Sequence, residues 1–271
     1  MVITDAAAYV LSCLTVLIAC IVGKICGMGG GVIIKPVLDG LGLFSVSTIN
    51  FLSGCTVIGM SAWSLVMSNR KSNSSLDLQM TVPLAIGAAA GGVLGKLSFQ
   101  WVSALFPDPN MAGGVQAICL FLVTLGCFFY TIHQKKIETK NVKNPVICVA
   151  VGFVLGCVSA FLGIGGGPIN MIFLFYFFSM PIKKAAQNSL FVILISQSFA
   201  MARTLVSAGF PDVPAGLWVG MMLSGIAGSI VGTKTTDIIS DKKVSRLFGI
   251  VMCVVMGICL YNAWNFFGQT A

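Results

Sequence analysis

Two glycine-rich pentapeptides interrupt apolar stretches long enough to cross a membrane, and few folds accommodate that. The first is Gly27-Met28-Gly29-Gly30-Gly31; the second, 136 residues further on, is Gly163-Ile164-Gly165-Gly166-Gly167. Hydrophobic, helix-forming sequence flanks each on both sides. Glycine favours a helix least after proline, so three in succession break it. They also leave peptide N–H groups uncovered. In lipid, bare backbone survives only where protein buries it or a watery cavity receives it. The two stretches are therefore expected to be paired helix breaks facing one site.

Composition supports a bilayer setting. Of 271 residues, 57% are hydrophobic and only 9% charged, and the mean hydropathy is +0.97. Soluble domains carry about 25% charged residues. Short alternating segments of a β-barrel are absent, so the expected class is an all-α polytopic membrane protein. The net charge of +8 does not point to nucleic acid, because the lysines and arginines cluster in short loops between apolar spans. The start, Met1-Val2-Ile3-Thr4-Asp5, has no basic n-region and runs straight into the first span. The ten cysteines form no CxxC motif and no zinc spacing. They read as small buried thiols, and neither a metal nor a cofactor is expected.

In chain order the pattern occurs twice. Residues 1–137 are expected to hold a broken hairpin over 6–44 and spans over 48–67, 78–104 and 111–133. Residues 138–271 are expected to hold a hairpin over 145–179 and spans over 185–208, 214–238 and 244–267. Spans of 20 or more residues suit a hydrocarbon core of about 30 Å, and the arms after the breaks are too short to cross it alone.

Positive residues then set the sides. Arg70/Lys71, the basic linker around Lys135–Lys143, Lys183/Lys184 and Lys242/Lys243/Arg246 go inside. The two termini, the turn near Ser45, Pro107–Asn110 and Gly209–Asp212 go outside, and none of those segments carries a lysine or arginine. This assignment requires each broken segment to enter and leave on one side, as a re-entrant hairpin. A hairpin plus three transmembrane helices reverses side, so the expectation is two inverted-topology repeats, a plan common among secondary transporters. Asn50 and Asn188 are expected to correspond, as are Gly91-x-x-x-Gly95 and Gly228-x-x-x-Gly232. Such small-residue patterns suit close helix packing.

A helix that begins after a glycine run presents free N–H groups and the positive end of its dipole, which is the chemistry of an anion site. Gly29, Gly30, Gly31, Gly165, Gly166 and Gly167 are the candidate backbone ligands. Pro168 stands where proline suits a first helical turn. Lys24 and Lys35 flank the first break. Lysine is expensive in apolar sequence and suggests an ion or substrate path, although a long stem can also snorkel to a headgroup region. The second copy has Ala160 and Met171 at those offsets, with Asn170 nearby, so the fixed charge is expected from the first half. Asn50, Asn188, Gln197 and Arg203 complete the candidates. The asparagines also suit helix caps, Gln197 a bond between helices, and Arg203 a position near the outer interface.

Enzyme readings fare poorly. His133 is the only histidine and borders the linker. No HExxH motif exists, and the glycine runs lack the GK[ST] ending of a phosphate loop. An anion channel built from half-helix hairpins is an alternative, as is a carrier of another small anion such as a carboxylate. Proton coupling would have few carboxylates to use, Asp39 and Asp237 among them.

The doubled G-x-G-G-G motif, the run Gly156-Cys157-Val158-Ser159-Ala160-Phe161-Leu162-Gly163-Ile164-Gly165-Gly166-Gly167-Pro168-Ile169-Asn170-Met171 and Ala185-Ala186-Gln187-Asn188-Ser189 resemble the TauE/SafE sulfite exporter family, also called the toluene sulfonate uptake permease family. The resemblance covers essentially the whole chain. It implies a multi-pass carrier of the cytoplasmic membrane for sulfite, sulfoacetate or other organosulfonates. It carries over Gly29–Gly31 and Gly165–Gly167 as motif residues; the lysines rest on the physical argument alone.

Overall fold

The computed structural model describes residues 2–70, 76–108, 111–209 and 212–268. Lys71, Pro109, Asn110, Phe210 and Pro211, on which part of the side assignment depends, lie outside the described residues. Within them the chain is helical, in the order α1 Val2–Cys26, α2 Gly31–Leu41, α3 Val46–Arg70, α4 Leu78–Ala104, α5 Met111–His133, α6 Pro145–Leu162, α7 Pro168–Phe178, α8 Ile182–Ala208, α9 Ala215–Ile238 and α10 Asp241–Gly268. A short 3-10 turn, Gln134–Lys136, follows α5. Among the described residues, eight of the helices are long and apolar enough to cross a membrane. The exceptions are α2 and α7, each of 11 residues. At 1.5 Å per residue these rise about 16 Å, roughly half a hydrocarbon core.

Burial runs opposite to that of a water-soluble bundle. Ile18, Ile86, Leu122 and Val254 are more than half exposed, whereas Ser53, Ser61, Gln116, Asn188 and Ser229 are buried. An apolar girdle around a partly polar interior fits a lipid solvent, which attracts helices to one another only weakly. Trp101 and Trp264 are also exposed, as membrane-interface tryptophans are.

Small residues bring the helices together. A β-carbon at Gly91 would run into the Phe153 carbonyl, and one at Gly95 into the Cys157 carbonyl, so α4 lies directly on α6. On the other pair, a β-carbon at Gly228 would stand 2.6 Å from the Leu17 carbonyl oxygen, and one at Gly232 2.8 Å from that of Ile21. Thus α9 lies on α1 through the second copy of the same spaced glycines. Phe153 and Cys157 stand 136 positions beyond Leu17 and Ile21.

Candidate functional site

Both breaks begin with the same local structure. Gly27 and Gly163 adopt left-handed backbones, φ 71° and 69°. The Gly27 N–H donates to the Lys24 carbonyl and that of Met28 to Gly23, while Gly163 donates to Ala160 and Ile164 to Ser159. This is the Schellman termination, in which a residue without a β-carbon ends the helix and satisfies its last carbonyls. Gly29 and Gly165 then turn the chain with φ 75° and 73°. There the copies diverge. Gly30 is already right-handed, φ −70°, whereas Gly166 and Gly167 stay positive at 150° and 108° before Pro168 opens α7.

The tips are closed by the opposite half, and the contacts exchange. The Gly27 backbone abuts Ala186 and the Met171 sulfur; the Gly163 backbone abuts the Asn50 amide and the Lys35 stem. Each second contact is the first shifted by 136 positions. Asn50 therefore corresponds to Ala186, not to Asn188 as its sequence neighbourhood suggests.

The two breaks also touch each other. A β-carbon at Gly31 would strike the Ile164 carbonyl oxygen, and one at Gly167 would lie 3.5 Å from Val32. Val57 and Ile193 serve both: Ile193 faces Gly29 and Gly166, and Val57 faces Gly29, Gly31 and Gly165. A solute held between the turns has no space at the Gly31–Ile164 contact. Among the buried polar groups that lack partners, Asn50, Ser53, Gln197 and Asn170 lie along α3, α8 and the second break.

Asn50 is buried with both amide atoms unpartnered, and Ser53, one turn along α3, is buried with a free hydroxyl. Gly54 of α3 faces the Gln197 amide and the Met201 methyl group of α8, and the Gln197 stem lies against Gly165. The Gln197 Nε2 is buried and unpartnered. Asn170 in the first turn of α7 faces Gly166 and has an unpartnered Oδ1. A polar group buried without a partner costs about 1–3 kcal/mol. Several such groups beside two helix N-termini therefore make a surface suited to a polar solute. Free N–H and O–H donors there match the oxygens of an anion.

The lysines fall into three settings. Lys35 is buried and donates to Asp39 at 2.7 Å, a pair one turn apart on α2. Its charge is thereby cancelled, so Lys35 is not the bare cation expected from sequence. Lys24, also buried, lines a separate cavity of about 180 Å³ with Ser68, Lys183, Ala186, Thr233 and Asp237. That cavity reaches the first break through Ala186, the residue against Gly27. The third lysine, Lys96 on α4, was missed in the reading of the spans. It is 6% exposed, stands one turn beyond Gly92, which faces Ser196 of α8, and next to Gly95, which faces Phe161 near the end of α6, and has no acidic partner among the described residues. Its signal was in plain view, a lysine inside the 78–104 span.

Two candidates are not brought to the breaks. The Asn188 carbonyl oxygen accepts from the Asp77 N–H at 3.1 Å and from the Thr81 hydroxyl, and its Nδ2 donates to the Lys184 carbonyl at 2.7 Å. Asn188 therefore ties α8 to the start of α4. Arg203, half-buried, lies about 9 Å further along α8 than Gln197, where its carbonyl accepts from Ser207 at 3.0 Å. A larger cleft of about 450 Å³, lined by Tyr130, Phe175, Pro181 and Lys242 among others, includes no residue of either break.

Comparison with known proteins agrees with this architecture. The family profile described as Sulfite exporter TauE/SafE matches residues 12–259. The Bacillus subtilis (strain 168) protein described as Probable membrane transporter protein YunE is 25% identical over 251 residues, an alignment covering 81% of this chain and 88% of that protein. No solved structure matches.

Proposed function

Because the chain belongs to the sulfite exporter TauE/SafE family, a family of membrane transporters, we propose that it carries a small sulfur-containing anion, sulfite or an organosulfonate, across the cytoplasmic membrane by alternating access. The observation that carries this reading is the meeting of two glycine breaks beside buried polar side chains that have no protein partner.

In this reading the termini lie outside, and Lys183 and the basic linker lie inside. The halves are inverted about the meeting point of the breaks. The exchange of contacts at Gly27 and Gly163 supports a two-fold relation between the halves, and the charge bias of the loops supports an axis in the membrane plane. The backbone of Gly29–Gly31 and Gly165–Gly167 supplies positive helix ends. The amide N–H groups of Asn50 and Gln197 donate neutral hydrogen bonds to the sulfonyl oxygens, and Asn170 stands beside them in the first turn of α7. Lys24 serves the inner approach rather than the bound anion. Asp39, held by Lys35, is the buried carboxylate available for coupling to protons.

Purified protein in proteoliposomes should take up sulfite or a simple sulfonate with saturable kinetics and accumulate it against a gradient. Uptake that never exceeds equilibration would indicate a channel. No flux of any sulfur anion, with carboxylate flux instead, would replace the substrate class.

A further inference from the structure

We infer that the buried polar cluster beside the second break has a net charge of plus one, supplied by Lys96, and that it therefore selects singly charged sulfur anions over doubly charged ones. This rests on the carrier reading above and adds the charge of the substrate to it.

The charge count follows from the geometry. Around the second break, α2 contributes Lys35 and Asp39, whose 2.7 Å contact cancels their charges. The neighbouring part of α3 contributes only neutral groups, Asn50, Ser53 and the Cys55 thiol. From α8 comes Gln197; Arg203 lies further along that helix and is half-buried. α4 contributes Lys96, buried one turn after Gly92, which faces Ser196 next to Gln197, and beside Gly95, which faces Phe161 just before the second break, without a carboxylate within salt-bridge reach among the described residues. Lys24, Lys183 and Asp237 line the other cavity, which meets the first break at Ala186.

A lone ammonium in a low-dielectric interior is unstable unless something of opposite charge joins it. One negative charge on the solute neutralises it. A second would be buried with no cation to meet it, because the remaining donors, Asn50, Ser53 and Gln197, are uncharged. Hydrogen bonds from those groups are indifferent to which monoanion is present, provided that it offers several oxygens.

The test needs no variant to begin. Uptake of labelled methanesulfonate into proteoliposomes of the full-length protein is competed with ethanesulfonate, and separately with sulfate, sulfoacetate and ethane-1,2-disulfonate. The monoanion should compete at least tenfold better than each dianion. Lys96→Met should lower methanesulfonate uptake at least tenfold while Lys96→Arg keeps a measurable part of it, both eluting as monodisperse protein. Gln197→Lys adds a second cation and should shift competition toward the dianions. Equal competition by dianions, or a folded Lys96→Met protein with undiminished uptake, overturns the inference and leaves the carrier reading standing. Wild-type protein that transports no sulfur anion overturns the carrier reading itself.

Discussion

Lys35 donates to Asp39 at 2.7 Å, one turn further along α2, with both side chains shut away from the surface. Positive charge beside an apolar glycine break looks, from sequence, like charge waiting for a substrate. In the fold it is already answered. What the pair does is hold α2, the short arm whose first residue, Gly31, touches the opposite break.

Removing one partner should therefore be worse than removing both. Lys35→Met leaves Asp39 as an uncompensated buried charge and should cost about 3–5 kcal/mol, whereas Lys35→Met with Asp39→Leu should recover most of it. Thermal unfolding of the detergent-purified proteins measures this. A double variant no more stable than the single one would contradict the buried pair.

Gly31→Ala should separate the two breaks, since the new methyl group meets the Ile164 carbonyl. Lower thermal stability and loss of uptake are expected together. Gly126→Ala on α5 is the control: nothing lies within 4 Å of that position, and alanine gains up to about 1 kcal/mol of helix propensity. If both variants behave alike, the contact between the breaks is not what makes Gly31 necessary.

Asn50 and Asn188 should give opposite phenotypes. Asn188→Ala leaves the Asp77 N–H and the Thr81 hydroxyl without their acceptor and should cost about 1–3 kcal/mol of stability. Asn50→Ala removes an amide that has no protein partner. It should leave the melting temperature nearly unchanged while raising the KM for sulfonate severalfold. The comparison is read from melting curves and uptake kinetics on the same preparations.

Sidedness is testable without transport. Alkaline phosphatase is active only outside the cytoplasm, so a fusion after Gly268 should be active and one after Gln134 inactive. The reverse pattern would invert the proposed orientation.

Much of the architecture was legible because lipid makes strong demands. Hydropathy marked the spans, and the 78–104 and 111–133 boundaries coincide with α4 and α5. The breaks were legible because glycine at positive φ leaves few options, as Gly27 and Gly163 show. The partners of polar groups were not legible. Asn188 and Asn50 look alike in sequence, yet one bonds to residues more than a hundred positions away and the other to nothing. Local pattern does not encode such distant packing, and the direct Gly31–Ile164 contact was hidden for the same reason. Two signals were present and not used: the i, i+4 spacing of Lys35 and Asp39, and the lysine at position 96 within a span.

Because Gly27 is covered by Ala186 and Met171 while Gly163 is covered by Asn50 and Lys35, neither half can finish its own interior. Expressed alone, either would leave its hairpin tip bare and, in the inverted arrangement proposed above, would find a matching lid only on another half-chain lying antiparallel. In that proposed arrangement the molecule amounts to a tethered dimer. The stretch between His133 and Pro145 fixes the one-to-one ratio and relative orientation that separate halves would have to reach by chance encounter.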